Sequence, residues 1–181
     1  MTTPALSLTD FDGKFADIKV FVTPDTLSLI NSSETLKEQI RSYESDSKAA
    51  RVVLDTENPD AAFFMTPTET VPGVATFGTG TLSNPIKFIK TVSHELGHYD
   101  VEGLNGVVGK ARAAAYANGD MPAYENACHL TEGMARLNVA KVIDEIASNP
   151  MTPGTVAEQL TQLTSFEDYT EYMALKAGAA D

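Results

Sequence analysis

Apolar positions change their period once along this chain. Up to Ser83 they come in short runs that alternate or are rich in β-branched and aromatic residues, and these predict strands at 16–22 (ADIKVFV), 51–55 (RVVLD), 60–65 (DAAFFM) and 72–79 (PGVATFGT). Between the first two runs, residues 24–45 carry helical spacing in two pieces, broken at Asn31-Ser32-Ser33. Ser33 supplies an N-cap and Glu34 a first-turn acid for the second piece. Past Ser83 the spacing becomes helical throughout. Asn84-Pro85 is a cap followed by a first-turn proline, and Ile86, Ile89, Val92, Leu96 and Tyr99 then recur on one face of a helix over 85–103. Further helices are predicted at 107–118 (stopping at Gly119), 122–148, 155–163 and 166–177. Strands first and helices after describe an α+β domain with a small, mostly antiparallel N-terminal sheet and a helical C-terminal half.

At 181 residues the chain fits one domain, with residues 1–13 expected as a loose leader. Asp and Glu number 25 against 13 Lys and Arg, a formal charge of −12 that repels nucleic acid and anionic membrane surfaces. Cys128 is the only cysteine, which excludes an intrachain disulfide and any cysteine-rich metal site. The first residues have neither a basic segment nor an apolar stretch of the secretory kind, and no apolar run approaches the ~20 residues that span a bilayer. The expectation is a soluble protein without membrane insertion, cytoplasmic or exported by a route that does not read an N-terminal signal.

The chemistry is concentrated in His94-Glu95-Leu96-Gly97-His98, an HExxH sequence within the helix 85–103. Residues four apart share a helix face about 6 Å apart, so two imidazoles there can converge on one ion. Leu96 lies on the apolar face with Ile89 and Val92, which turns the histidines away from it. Zinc takes nitrogen ligands in tetrahedral geometry, and three protein ligands leave one position for water. Glu95 projects beside that position as general base for attack on a polarised carbonyl.

Two histidines leave one protein ligand to be found. A third histidine six residues beyond His98, preceded by a glycine, is excluded because Val101 and Leu104 occupy those places. Glu102 shares the face of His94 but lies roughly 12 Å further along a straight helix. A carboxylate on a later helix remains. In the helix 122–148, Glu125, His129, Glu132 and Arg136 fall within an arc of about 60°, opposite Leu130, Met134 and Leu137. That polar stripe continues into Val139 and Ile143, so it is expected to face inward, although Glu125 with His129 and Glu132 with Arg136 also read as surface i, i+4 pairs. Glu132 is preferred as ligand, because Gly133 and Ala135 beside it permit close helix approach, whereas Glu125 in the first turn is already explained by the helix dipole.

His129, the one histidine outside the motif, has three possible roles: ligand, donor to the developing oxyanion, or partner of a metal-bound carboxylate. Tyr99, Tyr116, Tyr124, Tyr169 and Tyr172 are alternative oxyanion donors, Tyr99 being better explained as core. Asp100 reads as solvated rather than as an imidazole partner. The strand 74–78, close in sequence to the motif, suits an exposed edge that pairs with an extended substrate, or equally an interior strand.

HELGH on a helix, followed about thirty residues later by a helix bearing Glu132-Gly133-Met134-Ala135, resembles the gluzincin metallopeptidases over residues 84–148. The resemblance implies a zincin fold, one Zn2+ per chain held by His94, His98 and Glu132, and hydrolysis of a polypeptide substrate. Many gluzincins have Asp four residues after the ligand Glu, where this chain has Arg136. The stretch Cys128-His129-x-x-Glu132-Gly133 is also similar to metallopeptidase modules of bacterial polymorphic toxins and secreted effectors. That similarity implies delivery into another cell and a cognate immunity or inhibitor protein. The reading from a different class is a catalytically silent, zinc-stabilised binding or regulatory module.

Overall fold

The computed structural model describes residues 3–65, 71–102, 107–163, 170 and 172–174. Two helices open the fold, α1 (Pro24–Asn31) and α2 (Glu34–Ser45), followed by strands β1 (Val53–Asp55), β2 (Ala62–Met65) and β3 (Val74–Gly78). Helices α3 (Pro85–Glu102), α4 (Val107–Ala117), α5 (Met121–Ser148) and α6 (Gly154–Leu163) complete it. The α+β class is as expected, and most elements lie within two residues of their predicted bounds.

Local chemistry accounts for the boundaries. The Ser33 hydroxyl accepts the Leu36 amide at 3.1 Å, and Glu145 of α5 binds the same end of α2 through the Ser33 hydroxyl and the Thr35 amide. Asn84 Oδ1 caps α3 by accepting the Lys87 amide at 3.0 Å, and Asp120 caps α5 through the Ala123 amide at 3.1 Å. Gly119 ends the preceding helix at φ +67°, a left-handed conformation that costs glycine little.

Three expectations are corrected. Residues 16–22 form a turn and a 3-10 helix (Lys19–Phe21) rather than a strand. Their apolar groups bury one at a time, Ile18 fully and Val22 almost so, while Val20 is 78% exposed. Residues 3–13 are not loose: Leu6 and Phe11 belong to the core, and Asn31 bonds both the amide and the carbonyl of Leu6. The sheet is mixed, not mostly antiparallel. Its order is β1-β3-β2, with β3 central, parallel to β1 and antiparallel to β2. The segment 74–78 is therefore an interior strand, buried from Ala75 onward, and is not available as a substrate-pairing edge. The predicted helix 166–177 falls largely outside the described residues.

Helix α3 runs through the middle of the fold, packed by α5, α4, α1, α2, α6 and the sheet. Phe88, Ile89, Val92 and Leu96 are fully buried in a core shared with Phe15, Tyr43 and Phe77 on one side and Val142, Ile143 and Ile146 of α5 on the other. With apolar partners on several sides, α3 is anchored along its length, and what it presents at His94 and His98 is correspondingly rigid. Among the described residues, no helix is long and apolar enough to cross a membrane.

Candidate metal centre

His94 and His98 leave α3 one turn apart, with their Nε2 atoms 3.2 Å from each other and their rings edge to face at 82°. Glu132 comes to them from α5. Its Oε1 lies 3.5 Å from His94 Nε2 and its Oε2 3.3 Å from His98 Nε2. Each carboxylate oxygen thus faces a different imidazole nitrogen, and one donor atom from each of the three residues lies within 4.8 Å of the other two. For bonds of 2.0–2.1 Å, the ligands of a tetrahedral ion are about 3.3 Å apart. The nearest donor separations, 3.2 to 3.5 Å, are close to that spacing, and this cluster could hold a metal ion.

The electrostatics favour a cation at that place. Burial, ahead of the neighbouring charges, pulls the His94 imidazole below the ordinary histidine range, so it is neutral at physiological pH with a lone pair to give. The side chains of His94, His98 and Glu132 are 24%, 14% and 44% exposed, enough for an ion to enter from solvent. Arg136 Nε donates to Glu132 Oε1 at 3.2 Å. The guanidinium thus pairs with Glu132 and, as a nearby positive charge, adds to the lowering of the His94 pKa.

Helix packing explains why Glu132 rather than Glu125 reaches the histidines. The inward face of α5 is a line of small residues, Ala127, Thr131 and Ala135, followed by Val139 and Val142. Glu132 stands on the shoulder of this face, half-buried, whereas Glu125, His129 and Arg136 are exposed. The expectation that the whole polar stripe points inward is corrected. The interface selects small residues because the backbones come close, and a stripe of Glu, His and Arg is too bulky for that approach. A Cβ built on Gly97 would stand 3.0 Å from Ala135 Cα, so the close contact is made by Ala135 and not by Gly133, whose added Cβ would meet nothing within 4 Å.

Glu95 is 4% exposed and follows His94 directly on α3. His129 is not among the residues whose donor atoms converge. The Tyr99 hydroxyl donates to Asp46 at 2.8 Å and its ring packs on Tyr43 and Phe64, in keeping with a core role. Tyr172 donates to Asp144 at 3.3 Å, Tyr116 and Tyr124 pack against each other at 5.8 Å, and Tyr169 lies outside the described residues. Asp100 accepts from Gln39 Nε2 at 2.6 Å, a bond from an amide and not from an imidazole. Beside the histidine helix, Phe64 of β2 meets the Tyr99 ring at 6.0 Å, and among the described residues no strand pairs beyond β2.

Sequence reasoning missed Gln39 and Asn138, which bridge α2, α3 and α5 behind the cluster. The signal was present: each is an amide set into an apolar stripe, Gln39 between Leu36 and Ile40, and Asn138 between Ala135 and Val139. No family model matches the chain, and no curated protein or solved structure matches it.

Proposed function

We propose that this chain is a zinc-dependent metallopeptidase in which His94, His98 and Glu132 hold the ion and Glu95 is the general base. The observation that carries the reading is the cluster of two imidazole nitrogens and one carboxylate, whose oxygens lie 3.5 and 3.3 Å from His94 and His98, with Glu95 next to His94 on the same helix. Two imidazoles and one carboxylate form a donor set that suits zinc, and three protein ligands leave a coordination place for water. Bound zinc supplies Lewis acidity toward a carbonyl and lowers the pKa of water.

The chain's own residues supply the rest. The rigid α3 fixes both imidazoles, α5 brings the carboxylate, and Glu95 takes the proton of the attacking water and passes it to the leaving amine. Among the described residues no strand pairs on the outer side of β2, close to the histidine helix, and an extended substrate adds there in place of β3. The resemblance to effector modules adds an immunity or inhibitor protein as partner. On that reading, expression of the chain inside a susceptible cell is toxic only while Glu95 is intact; equal toxicity of wild type and Glu95→Gln removes the toxin reading.

The deciding experiment is Glu95→Gln in metal-loaded protein, assayed on a peptide library. Retained metal with hydrolysis lost supports the peptidase, and retained hydrolysis removes Glu95 from the mechanism. The near-complete cover of Glu95 favours one second reading, a zinc-stabilised binding module without turnover. That module predicts a wild type whose melting temperature falls on metal removal and which cleaves no peptide.

A further inference from the structure

Gly97 lets two helices approach but does not fix how they are turned on each other. The contact surface of α5 at that level is Ala135, and small, smooth side chains permit rotation and sliding at little cost. Yet the Glu132 carboxylate straddles the two histidines, Oε1 3.5 Å from His94 Nε2 and Oε2 3.3 Å from His98 Nε2. Something directional sets that register. Asn138 Nδ2 donates to the backbone carbonyl of Ser93 at 2.6 Å, one residue before His94. In an α-helix that carbonyl already accepts the amide of Gly97, so Asn138 uses its second lone pair, and only the missing side chain of Gly97 gives the room.

The Asn138 carboxamide is itself held. Its Oδ1 accepts from Gln39 Nε2 at 2.9 Å, and its Nδ2 lies 3.3 Å from Gln39 Oε1, a reciprocal amide pair. Gln39 is 4% exposed and spends its second N–H on Asp100 Oδ2. The network thus joins α2, both sides of the histidine turn of α3, and α5. Resting on the metal-centre reading, we propose that Asn138, held by Gln39, is a positioning residue that locks α5 on α3 so that Glu132 completes the ligand set.

The test compares wild type, Asn138→Ala, Gln39→Ala and a core control on another element, Ile18→Ala, in the apo and zinc-loaded states. Zinc affinity is read by competition with a chromophoric chelator, the visible spectrum is recorded on the cobalt-substituted proteins, and the apo melting temperature is measured for each. Loss of an outer partner of a metal ligand set typically weakens metal binding 10–100-fold. Asn138→Ala is expected within that range with an altered cobalt spectrum, and Gln39→Ala is expected to lose less. Ile18→Ala should lower the melting temperature while leaving affinity and spectrum as in wild type. Asn138→Ala with wild-type affinity and spectrum overturns the proposal, as does a loss no greater than that of the control. Should Asn138→Ala not fold, Gln39→Ala decides by the same criteria. A wild type that binds no zinc overturns the metal-centre reading instead, so the two failures are distinct.

Discussion

Gly97 of α3 faces Ala135 of α5 so closely that a methyl group on Gly97 would stand 3.0 Å from the Ala135 Cα. The obstacle is backbone, which cannot swing aside as a long side chain can, so accommodation requires α5 to shift by a few tenths of an ångström.

Two opposing effects follow for Gly97→Ala. The helix gains about 1 kcal/mol in propensity, while overpacking at a close contact costs about 1–3 kcal/mol. Global stability is therefore expected to change by no more than about 2 kcal/mol, measured as a shift in the denaturant midpoint. Metal affinity responds differently, because any outward shift of α5 carries Glu132 away from His94 and His98. A loss of tenfold or more in zinc affinity, with stability near wild type, is the expected signature. Unchanged affinity would show that α5 yields without moving its ligand.

The choice of third ligand is equally exposed to test. Glu132→Ala and His98→Ala are each expected to weaken zinc binding by more than about a hundredfold, beyond the usual effect of losing an outer partner. Glu125 and His129 point to solvent, and Glu125→Ala and His129→Ala are expected to leave metal content at wild-type level. Metal loss in either of those two variants would reassign the site.

A pH dependence follows from His94. Burial holds its imidazole below the ordinary histidine value, so the folded apo-protein resists protonation there more than the unfolded chain does. The sign is then fixed. Above the unfolded value of about 6.5 both states are neutral and no penalty applies. As pH falls through and below that value, the unfolded state takes up the proton first and stability declines. The apo-protein should therefore lose stability between pH 7.5 and 5.5. His94→Gln should lose less over the same interval, measured by denaturant melts in the presence of chelator. Matching pH slopes in the two proteins would remove His94 as the origin.

How much of this was legible in the sequence depends on the range of the contact involved. HELGH, its helix, and the caps at Ser33, Asn84 and Gly119 are settled within a few residues of chain, and all were readable. Glu132 could be ranked above Glu125 but for a reason that was half right, since Ala135 makes the close approach and Gly133 does not. The inward face of α5 was misjudged because helical periodicity gives relative angles, while the partner surface decides which angle is buried. Residues 16–22 alternate like a strand, yet tertiary packing buries Phe15, Ile18 and Val22 in a 3-10 path. Strand order was likewise beyond local pattern: placing β3 between β1 and β2 requires a parallel pairing across the intervening strand.

Arg136 gives the last prediction, and its sign separates two roles. Its side chain is 55% exposed and bonds Glu132 Oε1 at 3.2 Å, an i, i+4 pair of the kind worth about 0.3–0.5 kcal/mol at a surface. If Arg136 only neutralises Glu132, it competes with a metal for the same oxygen and repels the incoming cation. Arg136→Ala then tightens zinc binding by about twofold, the factor that such a pair energy corresponds to. If instead Arg136 holds the carboxylate in the orientation that the histidines need, the same substitution weakens binding. The exposure of the guanidinium and the independent placement of Glu132 by the packing of α5 favour the first outcome. Zinc titration of Arg136→Ala against a chelator, at two salt concentrations, distinguishes them. Tighter binding whose margin over wild type shrinks with added salt is expected, and weaker binding at both concentrations would make Arg136 part of the ligand scaffold.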